Sequence, residues 1–497
     1  MVYIIVALLL LWYGFLLIRP INIFDSDIGR LISNGEIIFN SFGDQINSVS
    51  NIFNSNFYSH TNSEYPFLNH HWGSGVIFYL IWKNFGFIGL HVFFILLTFI
   101  TFLISFFIAY KKSNLLIAST ISFFLIPVLS LRSELRPEIF SYFFLIIFLW
   151  ILQKYKDNPK KYILLYILPL LMIIWVNIHI YYIFGLILIF LFLFDSIINK
   201  TSGGASYKKL ALISFTLLLA GMLNPNGISG LLYPLHIFAN YGVLVKENIS
   251  ILSAFQLGLI SSSIFIIFVT SIIFSTIIFI ILFLRRHKKI IYLDLAIIIL
   301  FTSLAWLVVR GLAMYALLVI PVLSGALSKV ITDSKPVRNW NKNRKILLTV
   351  SIILLTLLIN KNNILTAPSK FGFSDIDSES RIAKYIIDNK ISGTVFNDFN
   401  TGSYIIFHLY PNIKPFVDSR PEAYPIDFFK NTYYPIFEEN DEEATWTSIS
   451  NEYDLSLILL KNNEITNKFI KRRAIDPAWD IEFFQDDVIL FRKVKIE

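Results

Sequence analysis

Long apolar runs separated by short polar stretches fill the first three quarters of the chain. Residues 2–18 are nearly all apolar and long enough to cross a hydrocarbon core. No basic segment precedes them and no small-residue cleavage site follows, which reads as an uncleaved signal anchor. Further apolar runs at roughly 86–110, 113–131, 137–153, 162–178, 180–197, 209–223, 256–284, 290–309, 312–330 and 346–360 bring the expected spans to about eleven. Between the first and second lies a mostly polar first loop, 19–84.

After residue 360 the pattern changes to short apolar runs at Thr394–Phe396, Lys414–Val417 and Leu455–Leu460, with helical spacing over Ser380–Asn389. Ile481–Gln485 and Val488–Arg492, joined by Asp486-Asp487, predict a closing hairpin. Glu438–Glu443 reads as a solvated helix start, and Thr201–Ser206 as a short flexible loop. The expected fold class is an α-helical polytopic membrane protein, residues 1–360 with the first loop included, carrying an extracytoplasmic α/β domain over 361–497. No internal repeat and no low-complexity tract is visible.

Composition agrees. Of 497 residues 55% are hydrophobic and 15% charged, where soluble domains carry about a quarter charged residues. Cysteine is absent, which excludes disulfides and thiolate metal sites. The net charge of +8 is uneven: residues 1–360 hold 26 Lys/Arg and 12 Asp/Glu, and 361–497 hold 16 and 22. A basic membrane part beside an acidic tail argues against nucleic-acid binding.

Alternating the loops between the two sides places 19 basic residues on one and 7 on the other. The rich side holds Lys111–Lys112, Lys154–Lys161, Lys200–Lys209, Arg285–Lys289 and Lys329–Lys345. By the positive-inside rule that side is cytoplasmic, as is the N-terminus, and the first loop and the tail are external. A bacterial plasma membrane is the expected location.

Most of the chemistry-bearing residues fall on the external side. Asp25 and Asp27 follow the first span. As an isolated tripeptide, Asp25-Ser26-Asp27 reads first as a helix cap, for which Asp and Ser are suited. Its position at a membrane boundary adds a second reading, a general base taking the proton of an attacking hydroxyl, and two close carboxylates could also share a divalent cation. Arg132, Arg136 and Arg310 end or begin spans, where charge is costly and usually paired or functional. Guanidinium suits phosphate, though Arg132 and Arg136 could equally pair with Glu134 and Glu138 or reach the headgroups. Arg310 has no acid beside it in sequence, which favours a phosphate ligand. His70, His71 and His179 could serve as acid/base groups, phosphate hydrogen-bond donors or metal ligands, but no chelating H-x-x-x-H spacing exists. Trp72, Trp175 and Trp306 are expected in interfacial aromatic belts. Asn224-Pro225-Asn226-Gly227 reads as a turn ending a helix. Gly-rich phosphate loops, G-x-S-x-G and H-E-x-x-H are all absent.

Asp25-Ser26-Asp27-Ile28-Gly29-Arg30-Leu31-Ile32-Ser33-Asn34-Gly35 is similar to the acidic first-loop stretch of bacterial GT-C glycosyltransferases, which it shares with a helix ending near a glycine. The GT-C superfamily includes protein O-mannosyltransferases and lipid A aminoarabinose transferases. Asn69-His70-His71-Trp72, Leu131–Ser141 with Arg136-Pro137-Glu138, Trp175-Val176-Asn177-Ile178-His179 and Arg310 resemble later external segments of that superfamily. In the tail, Val395–Asp398, Thr401–Tyr404 and Lys414–Arg420 resemble its extracytoplasmic domain. The resemblance implies sugar transfer from a polyprenyl-phosphate-linked donor to an acceptor it does not specify, on the external face and with inversion. It implies Asp27, then Asp25, as the base. It also implies substrate contacts from Arg30, His70, His71, Arg132, Arg136, Glu138, Asn177, His179 and Arg310, membrane lipids as partners, and an optional divalent cation, Mg or Mn. Many relatives carry an aromatic residue or histidine where Arg30 stands, so its role is open between a phosphate contact and a partner for Asp27. A transporter of lipid-linked sugars is the alternative, but it would place ionisable groups at mid-membrane and often repeats the fold in inverted halves. A ligase or non-catalytic protein of surface-polysaccharide assembly is the other; its main loop would lie late in the chain.

Overall fold

The computed structural model describes residues 2–24, 26–41, 49–199, 205–237, 241–243, 245–285, 288–333, 342–372, 381–437, 442–485 and 487–494. In chain order its helices include α1 (Val2–Leu17), α2 (Ile28–Ser41), α3 (Val49–Asn54), α4 (Trp72–Lys112), α5 (Leu115–Leu129), α6 (Glu138–Asp157) and α7 (Ile167–Ile178). They continue with α8 (Tyr182–Ile198), α9 (Ala205–Gly221), α10 (Gly227–Leu232), α11 (Ile251–Gln256), α12 (Ser262–Leu284), α13 (Lys288–Leu307) and α14 (Gly311–Thr332). Two compact units form: Met1–Pro20 with His91–Leu223 and Leu244–Phe373, and Ile21–Leu90 with Asn224–Val243 and Ser374–Glu497.

The first unit is a helix bundle. Among the described residues five helices are long and apolar enough to cross a membrane, and five shorter apolar helices of 10–17 residues accompany them. The protein is therefore a multi-pass membrane protein. Its centre is α14, buried at every position from Gly311 to Ala326 and packed against α5, α12 and α13. A helix apolar on all sides belongs in an interior. Peripheral helices instead show Leu8, Leu11, Phe194 and Leu284 outward, as lipid-facing side chains should be. Two expected spans are modified. The run 256–284 narrows to α12, because the chain turns at Gly258 (φ 68) after α11 ends at Gln256, and the run 162–178 starts as a 3-10 helix, Pro159–Tyr166. Charge separates along α14. Arg310 stands before its start, whereas Lys329 in its last turn shares Asp294 of α13 with Lys112, at 3.9 and 3.8 Å.

The second unit is built on a four-stranded sheet, β1 (Val395–Asn397), β2 (Leu457–Lys461), β3 (Trp479–Gln485) and β4 (Val488–Lys493), in the order β1-β2-β4-β3. β1 and β2 are parallel and the other pairs antiparallel, so the expected hairpin forms as β3–β4. Lys414–Val417 is not a strand; it approaches β1 through a hydrogen bond from the Phe416 N–H to Asn397 Oδ1. Period-two alternation puts Leu457 and Leu459 on one face of the sheet and Ile458 and Leu460 on the other, and both faces are covered. The polar first loop supplies part of each cover. Ile23 and Phe24 join one core and Phe67 the other, and Phe24 stacks on Tyr404 with ring centroids 3.9 Å apart. Helix α4 begins at Trp72, well inside the segment expected as loop, and kinks at Gly86 (φ 62). The acidic run 438–443 lies outside the described residues up to 441, as do 201–204 of the expected flexible loop and Asp486 of the hairpin turn.

Candidate functional site

Phe24, held in the sheet's core, fixes where the chain enters α2. Asp27 stands just before that helix, and its carbonyl accepts the Leu31 N–H at 3.0 Å, the first bond of the helical ladder. Asp25 lies outside the described residues. Asp27 is partly exposed and its carboxylate lies 3.6 Å from the Arg30 guanidinium one turn on. Arg30 itself is buried, and its Nε has no hydrogen-bond partner among the described residues. The Arg30 N–H donates to Ser403 Oγ at 3.1 Å, which ties α2 to the helix Thr401–His408. That approach needs Gly29, where a Cβ would stand 2.9 Å from Phe407 Cβ. The glycine expected near the end of the helix, Gly35, lies in its middle, because α2 runs on to Ser41. A Cβ on Gly35 would sit 2.0 Å from the Gly75 carbonyl oxygen, so two helix backbones touch there.

One turn after Arg30, Asn34 Oδ1 accepts from Asn69 Nδ2 at 3.3 Å. This fixes the neighbouring histidines: His70 Nδ1 lies 3.1 Å from the Leu68 carbonyl oxygen, and the rings of His70 and His71 are 3.8 Å apart. Tyr233 packs on His70 at 5.2 Å.

The tail closes on the first loop through a buried clasp. Arg420 donates from Nε and Nη2 to both Asp418 oxygens at 2.7 and 2.6 Å, and from Nη2 to Asn56 Oδ1 at 2.5 Å. Asn56 Nδ2 in turn donates to the Ala423 carbonyl at 2.9 Å, and the guanidinium lies against the rings of Tyr58 and Phe67. Burial alone would raise the Asp418 carboxyl, but the charge and hydrogen bonds of Arg420 outweigh it and hold the group below the usual range. The turn Pro421–Ala423 then carries Glu422. Burial pushes the Glu422 carboxyl up, Arg30 and Arg420 oppose that, and Asp27 adds to it. Glu422 also acts on the Tyr233 hydroxyl. First loop, Tyr233 and tail thus supply Asp27, Arg30, His70, Tyr233 and Glu422 to one unit. Sequence reading missed Glu422 and Tyr233; the sole signal is the acid following Asp418-Ser419-Arg420.

The bundle unit holds the other expected residues. Arg132, Arg136 and Arg310 converge on one carboxylate, Glu247, in the short turn Lys246–Asn248. Arg132 Nη1 lies 3.2 Å from it, Arg136 Nη1 donates at 3.0 Å, and Arg310 Nε donates at 2.8 Å. Arg132 also pairs with Glu138 at 2.5 Å and Arg136 with Glu134 at 2.7 Å. Burial would raise the Glu247 carboxyl; Arg132, Arg136 and Arg310 together overcome this and hold it far below the usual carboxylate range. Arg310 therefore does have an acid, supplied by the fold from a distant turn.

His179 and Asn177 are tied into the same bundle. Ser141 Oγ is 2.8 Å from His179 Nδ1 and accepts from Trp175 Nε1 at 2.7 Å. Trp175 is wholly buried against Phe144 and Phe148, so it belongs to the interior and not to an interfacial belt. Asn177 Nδ2 donates to the carbonyls of Ile173 and Leu223, both at 2.8 Å. The 224–227 segment is the expected turn, with Gly227 at φ 54 and Asn224 Oδ1 accepting the Asn226 N–H. Among the described residues, which leave out Asp25, no three His, Asp or Glu side chains gather around one point.

No protein-family model and no curated protein matches the sequence. Solved structures do. The apo oligosaccharyltransferase of Archaeoglobus fulgidus superposes with a TM-score of 0.61 at 11% identity, covering 93% of this chain and 69% of that one. The same archaeon's AglB, in complex with an inhibitory peptide and a dolichol-phosphate, gives 0.59 at 12% identity over the same shares. The mycobacterial arabinofuranosyltransferase AftD gives 0.53 at 12% identity, covering 99% of this chain and 41% of that one. The chain has the GT-C fold.

Proposed function

We propose that this chain is a glycosyltransferase that moves a sugar from a polyprenyl-phosphate-linked donor to an acceptor on the external face of a bacterial plasma membrane. The observation that carries the reading is Asp27. It is an acid set at the start of α2, directly after the first span, in a chain that shares its fold with two glycosyltransferases. Asp27 accepts the proton of the acceptor hydroxyl as that oxygen attacks the anomeric carbon. The bond from that carbon to the phosphate oxygen breaks, the phosphate leaves with the electron pair, and direct attack inverts the centre. The Arg30 guanidinium lies 3.6 Å from the Asp27 carboxylate. The histidines and Tyr233 beside α2 offer the acceptor hydrogen-bonding groups. Arg132, Arg136 and Arg310 supply guanidinium forks that match a phosphate.

Arg310→Ala should weaken binding of a polyprenyl phosphate about tenfold or more, as for loss of a charge-assisted hydrogen bond. Arg310→Lys, which keeps the charge but not the fork, should lose less. Titration of the purified variants measures this, and wild-type affinity in both would remove the phosphate role.

The proposed orientation places the Lys112–Lys329–Asp294 end of the bundle in the cytoplasm. Reporter fusions after residues 112 and 205 should then report cytoplasm, and a fusion after 365 the outside. A cytoplasmic tail would overturn the orientation.

A further inference from the structure

Among the described residues Glu247 is the one acid shared by all three arginines, and nothing in the proposed reaction uses it. We propose that the Glu247 carboxylate is a tethered competitor of the donor phosphate, holding Arg132, Arg136 and Arg310 and yielding them when a lipid phosphate binds. This rests on the glycosyl-transfer reading above and names how its phosphate site is controlled.

Charge balance requires the exchange. Among the described residues the cluster holds three guanidinium groups against Glu134, Glu138 and Glu247. A phosphate added to that set would put surplus negative charge into a largely buried place, so one carboxylate has to leave. Glu138 is fixed in the first turn of α6 and almost fully buried, bonded to Arg132. Glu134 is more than half exposed and touches only the rim of the cluster through Arg136. Glu247 occupies the centre, and it sits on a three-residue turn.

The geometry lets it move. The backbone around Glu247 is tied to the approach to α14 without help from the side chain: the Arg310 N–H donates to the Glu247 carbonyl at 3.3 Å and the Val309 N–H to the Ile249 carbonyl at 3.0 Å. Once the carboxylate withdraws, the turn loses its side-chain anchor to the three arginines and only these two backbone bonds hold it, so it loosens. The next residue adds an independent sign of a second arrangement. Both polar side-chain atoms of Asn248 are buried with no hydrogen-bond partner among the described residues. A buried amide left unpaired asks for an explanation, and a turn that repacks on binding supplies one. The exchange also favours phosphate, because three guanidinium groups offer more N–H donors than one carboxylate has lone pairs.

The test compares wild-type protein and Glu247→Gln in nanodiscs, titrated with decaprenyl phosphate and with decaprenol as the uncharged control. Removing the competing charge should tighten decaprenyl phosphate binding at least tenfold and leave decaprenol unchanged. Hydrogen exchange on the wild type needs no variant: amides over 245–250 should exchange faster once decaprenyl phosphate is bound. Equal or weaker binding by Glu247→Gln overturns the proposal. Should that variant not fold, unchanged or slower exchange in the wild type overturns it instead. Wild-type protein that prefers decaprenyl phosphate to decaprenol but shows neither effect leaves the transferase reading standing and removes this one. No preference for the phosphate removes both.

Discussion

Asp27→Asn should lower the turnover of sugar transfer by about a hundred- to ten-thousandfold, the usual share of a general base. The amide keeps the shape of the side chain and cannot take the proton. Donor affinity should stay near wild type, because the phosphate is assigned to Arg132, Arg136 and Arg310 and Asp27 acts only on the acceptor proton. Stability should change little. Asp27 is partly exposed and its pair with Arg30 is long, at 3.6 Å, so the amide should cost less than breaking the fully buried Arg420–Asp418 pair. The measurement is initial rate with a fixed lipid-linked donor, beside the melting temperature of each protein in detergent. Asp25→Asn belongs in the same series. If both variants transfer sugar at the wild-type rate, the base lies elsewhere.

The second large effect concerns stability. Arg420→Leu removes one partner of a fully buried pair and leaves the Asp418 carboxylate without its guanidinium, which should cost about 3–5 kcal/mol. Asn56 loses its 2.5 Å donor in the same step, so the first loop loosens along with the tail. Adding Asp418→Asn should recover part of the loss, because the uncompensated charge goes with it. The pH dependence has a fixed sign. Arg420 depresses the folded-state pKa of Asp418, so the stabilisation is present above the unfolded value of about 3.9 and is lost as acid protonates the folded carboxyl. The wild type should therefore lose more stability on acidification than the double variant does. Thermal melts over a pH series test both points; a single variant that melts with the wild type would mean the clasp contributes nothing.

Hydropathy located the membrane helices because the bilayer demands long apolar runs, and two short apolar runs flanking the Asp486-Asp487 turn located β3 and β4. What pattern alone did not show is which polar groups meet. Arg310 stands alone in sequence, yet a turn some sixty residues earlier brings Glu247 to it. Trp175 has the composition of a belt residue, and the Ser141 hydroxyl that accepts its N–H in the interior comes from another helix. Gly35 resembled a helix end because glycine is common there; its real constraint is a backbone contact with Gly75, which local sequence does not carry. Glu422 was invisible for the same reason, since its neighbours Asp27 and Arg30 lie near the opposite end of the chain. Asp27 and Arg30 fell into one cluster and Arg132, Arg136, Glu138 and Arg310 into another, because charge near a membrane is tolerated only where it is paired.

The most direct test of the account is a profile of lipid-linked sugars in cells lacking this protein. The account predicts that a polyprenyl-phosphate-linked sugar accumulates, that the wild-type gene clears it, and that the Asp27→Asn gene does not. A profile identical to that of the parent cells, with no donor accumulating, would contradict it.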